Sequence, residues 1–211
     1  MRVGLPRGPF LYPLLDVDTV GEEGVVRAAG ALAKAGVGVL QLRAKSLPDR
    51  RLVPLAHRVL RAAHDGGALL LVNDRPDVAR LVGADGVHVG QDDLAAEDAR
   101  AVVGDEKLLG VSTHDLEQLR AAAQQPVDYI ALGPVYETDS KAKPDPVVGP
   151  QMFEKARPLT SHPLVAIGGI TRANAREVVR CGADGVAVIA DLFRGADPAA
   201  VAREFDAVLR G

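Results

Sequence analysis

One short phrase returns along this chain and limits what it can become. Gly182-Ala183-Asp184-Gly185-Val186-Ala187-Val188-Ile189 repeats the pattern of Gly83-Ala84-Asp85-Gly86-Val87-His88-Val89-Gly90. Looser copies run Gly36-Val37-Gly38-Val39-Leu40-Gln41-Leu42-Arg43 and Pro126-Val127-Asp128-Tyr129-Ile130-Ala131-Leu132-Gly133. Each copy follows an Ala/Leu/Arg-rich helical segment, opens on a small-residue turn, and ends its apolar run at a polar residue or a glycine. Regular self-similarity marks a repeated supersecondary unit, here helix, tight turn, buried strand and functional tip. Strands that are continuous apolar runs belong to parallel sheets covered on both faces. The pattern predicts an α/β fold, a parallel eight-stranded (β/α)8 TIM barrel, with its chemistry where the strands end.

The order of segments supports that count. Apolar runs at 9–15, 37–42, 68–72, 107–111, 129–132 and 164–167, together with the Gly83 and Gly182 phrases, predict eight strands. Helical spacing is found at 22–35, 48–64, 76–81, 94–103, 115–124, 152–157, 174–180 and 198–209. Pro13 interrupts the first strand. Pro54 is expected to kink the long helix or to delay its start. Asp197 and Pro198 supply the cap and first turn of the last helix. No shift in composition marks a linker, so 1–211 is expected to form a single barrel domain. The connection 133–149, with three prolines and the lysines Lys141 and Lys143, has the length of a lid or binding loop.

Aromatic residues make up 3% of the chain, so its core must be Val, Leu, Ile and Ala, as in barrel interiors. The net charge of −3 comes from interspersed acids and bases. That balance argues against a nucleic-acid partner or an anionic membrane. Cys181 is the only cysteine, which excludes an internal disulfide, and it is expected to be buried apolar filler. Pro6, Pro9 and Pro13 break the N-terminal apolar stretch, so neither a signal peptide nor a membrane span is expected, and the cytoplasm is the expected location. Oligomeric state stays open, a homo-oligomer included.

Unusual polar residues gather at the predicted strand ends: Gln41, Arg43 and Lys45; Asn73 and Asp74; Gln91, Asp92 and Asp93; Ser112 and His114; Gly168 and Gly169. A parallel barrel would bring these tips to one face. Taken singly, Asp74 reads as a turn residue and Asp92/Asp93 as a helix cap. Taken with Arg43, Lys45 and Lys141 on the same rim, Asp74 and Asp93 read as a Mg²⁺–polyphosphate site, since one or two carboxylates suffice when phosphates and waters complete the shell. Gly168-Gly169 and the amides of Ile189-Ala190-Asp191 could cradle a second, single phosphate, or the glycines could form only a tight turn. In the cradle, a Cβ at Gly169 is expected to intrude on phosphate-contacting backbone and so to weaken that ligand alone. His57 and His64 read as surface residues, His88 as a satisfied core histidine, and His162 as remote. His114 belongs beside a helix N-cap.

Together these residues resemble one family. Gln41-Leu42-Arg43-Ala44-Lys45, Asn73-Asp74-Arg75, Gly86-Val87-His88-Val89-Gly90-Gln91-Asp92-Asp93, Gly110-Val111-Ser112, Asp128-Tyr129 through Gly133-Pro134, Lys141 and Ala166-Ile167-Gly168-Gly169-Ile170 resemble thiamine phosphate synthase, in order along nearly the whole chain. The resemblance implies a (β/α)8 transferase that joins hydroxymethylpyrimidine pyrophosphate to hydroxyethylthiazole phosphate, releasing pyrophosphate with Mg²⁺ as cofactor. It implies that Gln41, Arg43, Lys45 and Asn73 hold the pyrimidine substrate and its pyrophosphate, and that Asp74 and Asp93 hold the metal. It further implies that Ser112 and Lys141 contact the pyrophosphate, that Thr138 and Ser140 bind substrate, and that Gly169, Ile189 and Ala190 hold the thiazole phosphate. Arg43, Lys45, Ser112 and Lys141 would be the catalytic set in a dissociative reaction, with no nucleophile–base pair evident.

The chain departs from the family pattern at three places. Glu137-Thr138-Asp139-Ser140-Lys141 replaces Pro-Thr-x-Thr-Lys, Ala190 stands where serine is frequent, and Leu15 precedes Asp16 where threonine is common. A thiazole tautomerase on the same barrel, a phosphate-ligand sensor and a sugar-phosphate isomerase are the alternatives. The tautomerase does not need the pyrimidine–pyrophosphate residues kept here.

Overall fold

The computed structural model describes residues 4–138, 145–195 and 197–211. Eight parallel strands close into a barrel in chain order: β1 (Phe10–Asp16), β2 (Val39–Arg43), β3 (Leu69–Asn73), β4 (Gly86–Val89), β5 (Leu108–Thr113), β6 (Tyr129–Leu132), β7 (Leu164–Ala166) and β8 (Gly185–Val188). Between them lie α1 (Val17–Lys34), α2 (Asp49–Asp65), α3 (Pro76–Val82), α4 (Ala96–Val103), α5 (Leu116–Ala122), α6 (Met152–Ala156) and α7 (Ala175–Arg180), and α8 (Pro198–Arg210) follows β8. Successive strand residues point to opposite sides. Phe10, Tyr12, Leu14, Val39, Leu71, Tyr129 and Val165 therefore fill the barrel, while Leu11, Leu15, Leu40 and Val72 pack outward with the helices. Half-buried Cys181 packs against that outer layer.

The repeated Asp-Gly phrase is a strand clamp. The backbone N–H of Asp85 donates to the Leu70 carbonyl at 2.9 Å, and Asp85 Oδ2 accepts the Leu70 N–H at 2.8 Å. Asp128 grips Leu109 in the same way, and Asp184 grips Leu164. Each carboxylate also takes a donor from outside the sheet: His64 Nε2 at 2.8 Å, Arg100 Nη2 at 2.6 Å and Arg157 Nη1 at 2.8 Å, in that order. His64 is thus a partner of a buried aspartate and not merely a surface residue. The glycine that follows has a separate task. A Cβ on Gly86 would lie 2.3 Å from the Leu108 carbonyl oxygen, and one on Gly185 would lie 2.6 Å from the Phe10 ring.

These clamps precede the strands, at the barrel end opposite the strand tips, where they serve stability. Arg100 is buried and its partner Asp128 only 14% exposed at the side chain, and Arg100 also donates to the carbonyls of Pro126, Gly104 and Lys107. Removing one member leaves an uncompensated buried charge. Asp128→Ala is therefore expected to lower unfolding free energy by about 3 kcal/mol in urea titrations. A loss below about 1 kcal/mol, the level of an exposed ion pair, would contradict the clamp.

Several boundaries differ from expectation. Helix α1 begins at Val17 because Asp16 caps it, accepting from Asp18 N and Thr19 Oγ1, and Gly21 (φ 70°, ψ 168°) breaks its first turn from the rest. Helix α2 starts at Asp49 and runs through Pro54. Pro13 is accommodated because β1 pairs with β8 through Phe10–Pro13 and with β2 through Leu14–Asp16. A 3-10 helix, Ala190–Phe193, follows β8 where only amides were expected.

Candidate active site

The strand ends converge as the alternation requires. Gln41 and Arg43 continue the inward line of Val39, Asn73 continues that of Leu71, and Ser112 that of Leu108 and Gly110. Arg43 Nη1 lies 3.1 Å from Oδ1 of buried Asp16. That pair fixes the guanidinium at the rim and explains why β1 ends in an acid. Gln41 donates through Nε2 to the Tyr12 hydroxyl at 2.9 Å, and its Oε1 is buried without a partner among the described residues. A buried orphan acceptor costs about 1–3 kcal/mol unless a ligand satisfies it.

Beside this pair, Lys45 Nζ is 3.0 Å from Asp74 Oδ2, and Asp93 Oδ2 accepts the Gly90 N–H at 2.6 Å. Burial, then its hydrogen bond with the Asp74 carboxyl, push the Asp93 carboxyl above the ordinary carboxylate range, against the pull of the Gly90 N–H and Lys45. Asp74 takes a left-handed backbone conformation (φ 63°), while its N–H donates to the His88 carbonyl at 2.7 Å. Such a conformation costs energy in a non-glycine residue and is concentrated at functional sites. Two crowded carboxylates with a lysine suit a hard divalent cation that borrows further oxygens from a phosphate ligand. Among the described residues, no cluster of three or more His, Cys, Asp or Glu offers a complete protein cage. The donor set thus fits Mg²⁺ shared with substrate.

Two recesses adjoin this rim. One of about 210 Å³ is lined by Lys45, Asn73, Asp74 and Arg75. A larger one, about 520 Å³, meets the rim at Gly90–Asp93 and then runs outward between α4 and α5.

The glycines after β7 form a tight turn that packs against the chain after β6. Gly168 (φ 92°) and Gly169 (φ 66°) are left-handed. A Cβ on Gly169 would lie 2.5 Å from the Glu137 carbonyl oxygen and 2.7 Å from Tyr136 Cβ, while one on Gly168 would lie 2.5 Å from Pro134 Cβ. The chain after β6 is laid onto this turn, with Val135 N donating to Ile167 O and Tyr136 N to Gly168 O. The glycine turn after β7 and residues 134–137 after β6 are one packed unit. Buried Asp191, in the 3-10 helix with exposed Ala190, accepts from Arg172 N and Nε, both at 3.0 Å, and so joins the β7 and β8 tips. Nothing in the sequence signalled the Arg172–Asp191 tie.

Thr138 is half-buried at the edge of the long connection, whereas Ser140 and Lys141 lie outside the described residues. His114 is more than a neighbour of the Asp115 cap. Its Nδ1 is 2.6 Å from the Gly133 carbonyl and its Nε2 is 3.5 Å from Asp145 Oδ2, so it touches the connection on both sides. His88 is buried, as expected, but its Nε2 is 2.8 Å from Ser112 Oγ. A serine–histidine pair therefore exists where none was evident. Its histidine Nδ1 faces the Tyr129 hydroxyl at 2.9 Å instead of a carboxylate.

A family model described as thiamine monophosphate synthase matches residues 11–192. The thiamine-phosphate synthase of Koribacter versatilis is 49% identical, over 95% of this chain and 96% of its own. That of Laribacter hongkongensis is 42% identical over 94% of each chain. Among solved structures, a thiamine phosphate pyrophosphorylase from Pyrococcus furiosus aligns with a TM-score of 0.85 at 31% identity, covering 95% of both chains.

Proposed function

This chain belongs to the thiamine monophosphate synthase family, and on that premise we propose that its rim joins hydroxymethylpyrimidine pyrophosphate to hydroxyethylthiazole phosphate. The observation that carries this is the convergence of Lys45, Asp74 and Asp93 beside Gln41 and Arg43 at neighbouring strand ends. A thiazole phosphate alone would not call for that polyphosphate apparatus.

Gln41 Oε1 accepts from the pyrimidine, gaining the partner it lacks, and Asn73, two residues beyond Gln41's strand partner Leu71, binds substrate from the tip of β3. Arg43 and Lys45 bind the pyrophosphate through charge-assisted hydrogen bonds. Asp74 and Asp93 would hold Mg²⁺, which when bound neutralises charge on the departing anion. Ser112, and Lys141 from the connection after β6, complete the pyrophosphate contacts, and Thr138 and Ser140 of the same connection bind substrate. The carbon–oxygen bond breaks first, pyrophosphate takes the electron pair, and the thiazole nitrogen then forms the new carbon–nitrogen bond with the pyrimidine-methyl cation. Amides at Gly169, Ile189 and Ala190 hold the thiazole phosphate. Two or three such amides outweigh one hydroxyl, so Ala190→Ser is expected to change the thiazole KM less than about tenfold.

Pyrophosphate release tests the proposal. With Mg²⁺ and both substrates, release should be continuous, and omitting the thiazole phosphate should abolish net turnover. Binding of both ligands without release would identify a sensor, and a response to the thiazole phosphate alone would identify a tautomerase.

A further inference from the structure

Five polar side chains form one file across the barrel interior. Gln41 Nε2 lies 2.9 Å from the Tyr12 hydroxyl, which lies 2.9 Å from the Tyr129 hydroxyl. Tyr129 is 2.9 Å from His88 Nδ1, and His88 Nε2 is 2.8 Å from Ser112 Oγ. The file starts and ends on residues assigned above to substrate, yet its three middle members have no assigned task. Space is made for it. A Cβ on Gly110 would stand 2.0 Å from Tyr129 Cζ, so this glycine lets the ring cross the barrel. Tyr12 packs edge-on to Tyr129 with centroids 5.9 Å apart, and His88 stacks on it at 5.5 Å.

Counting protons gives the file a direction. A phenol has one proton to donate, and burial pushes both tyrosine hydroxyls well above their ordinary pKa, so both stay protonated. Gln41 donates to Tyr12, which leaves the Tyr12 proton for Tyr129. The Tyr129 proton must then go to His88 Nδ1. An imidazole that accepts at Nδ1 carries its own proton on Nε2 and donates it to Ser112. Ser112 Oγ, already an acceptor, has its proton left to give. An imidazolium would break the count, because Nδ1–H would leave the Tyr129 proton without an acceptor.

We propose that Tyr12, Tyr129 and His88 are positioning residues forming a one-way hydrogen-bond chain, which makes Ser112 an obligatory donor to the bound pyrophosphate and presents Gln41 Oε1 as an acceptor to the pyrimidine. The serine–histidine pair is then the reverse of a nucleophile–base pair, since His88 donates to the serine and does not activate it. A file of opposite polarity would turn serine lone pairs toward the anion. That Ser112 and Gln41 meet these two parts of the substrate rests on the function proposed above. The polarity itself does not.

Two measurements separate these layers. In ¹⁵N-histidine protein, the imidazole signals absent from His88→Gln report the tautomer of His88, and the expected one carries hydrogen on Nε2 with Nδ1 bare. Tyr129→Phe keeps the ring and removes the donor, so His88 should then populate both tautomers. Affinity for inorganic pyrophosphate with Mg²⁺, read by calorimetry, should fall roughly tenfold in that variant, while affinity for the thiazole phosphate holds. Tyr12→Phe leaves Tyr129 able to donate to His88, so its loss should be smaller. Hydrogen on Nδ1 in the unaltered protein would overturn the chain, as would an unchanged tautomer or unchanged pyrophosphate affinity in Tyr129→Phe. If the unaltered protein released no pyrophosphate from substrate, the proposed function would fall, and the tautomer would still decide the polarity.

Discussion

Asp93→Asn is expected to lower turnover by about a thousandfold, as loss of a preorganised electrostatic group does, while leaving the fold intact or more stable. Asparagine keeps an oxygen for the Gly90 N–H, now held at 2.6 Å, so the turn after β4 survives. The charge does not survive. Asp93 is a carboxyl whose folded pKa is raised by burial and by Asp74. A raised acid loses its proton more readily in the unfolded chain, so stability falls as pH rises through that window, and at neutral pH the ionised group opposes folding. A neutral amide removes this opposition. Rate and thermal midpoint should therefore part company: kcat collapses across all Mg²⁺ concentrations, and the midpoint holds or rises. Near-native turnover at limiting Mg²⁺ would remove Asp93 from the metal site. A falling midpoint would mean that the carboxylate serves the fold.

Gly169→Val is expected to damage both halves of the reaction. From sequence, the loss would be confined to thiazole phosphate. The structure predicts a wider one, because the new Cβ would meet Glu137 O at 2.5 Å and Tyr136 Cβ at 2.7 Å, on the segment that leads to Thr138 and Lys141. Its φ of 66° adds a second conflict, since β-branched residues are poorly tolerated in the left-handed region. Backbone strain and overpacking of this kind cost about 1–3 kcal/mol each. KM should rise for both substrates and stability should fall by about 3 kcal/mol. Gly169→Ala, also left-handed but not branched, should fall between. A thiazole-specific loss with unchanged stability would restore the narrower cradle.

The barrel was legible because its repeated phrase has a structural cause. Asp85, Asp128 and Asp184 clamp the neighbouring strand, and the glycines at 86 and 185 admit a backbone or a ring, so the chemistry of the turn recurs with the unit. The ends of β1, β2, β3 and β5 were read one or two residues short, since apolar runs stop before pairing does. Asp16 pairs with Arg43, Asn73 with His88 and Thr113 with Leu132, and backbone pairing does not depend on side-chain polarity. Rim residues could be found because they lie at strand tips. The interior file could not, because a tyrosine inside an apolar run reads as core. Its polar partner is 117 residues away in the case of Tyr12 and Tyr129, and only the closed barrel brings the two hydroxyls together. Asp16 with Arg43, 27 residues apart, and Asp191 with Arg172 escaped for the same reason.

The most direct test is product stoichiometry. Unaltered protein is incubated with hydroxymethylpyrimidine pyrophosphate, hydroxyethylthiazole phosphate and Mg²⁺, and thiamine phosphate is quantified by mass alongside released pyrophosphate. The rim described here predicts the two products in equal amounts, both lost when the metal is chelated and restored when it is returned. Pyrophosphate without thiamine phosphate would show a hydrolase, and substrates recovered unchanged would contradict the proposed function outright.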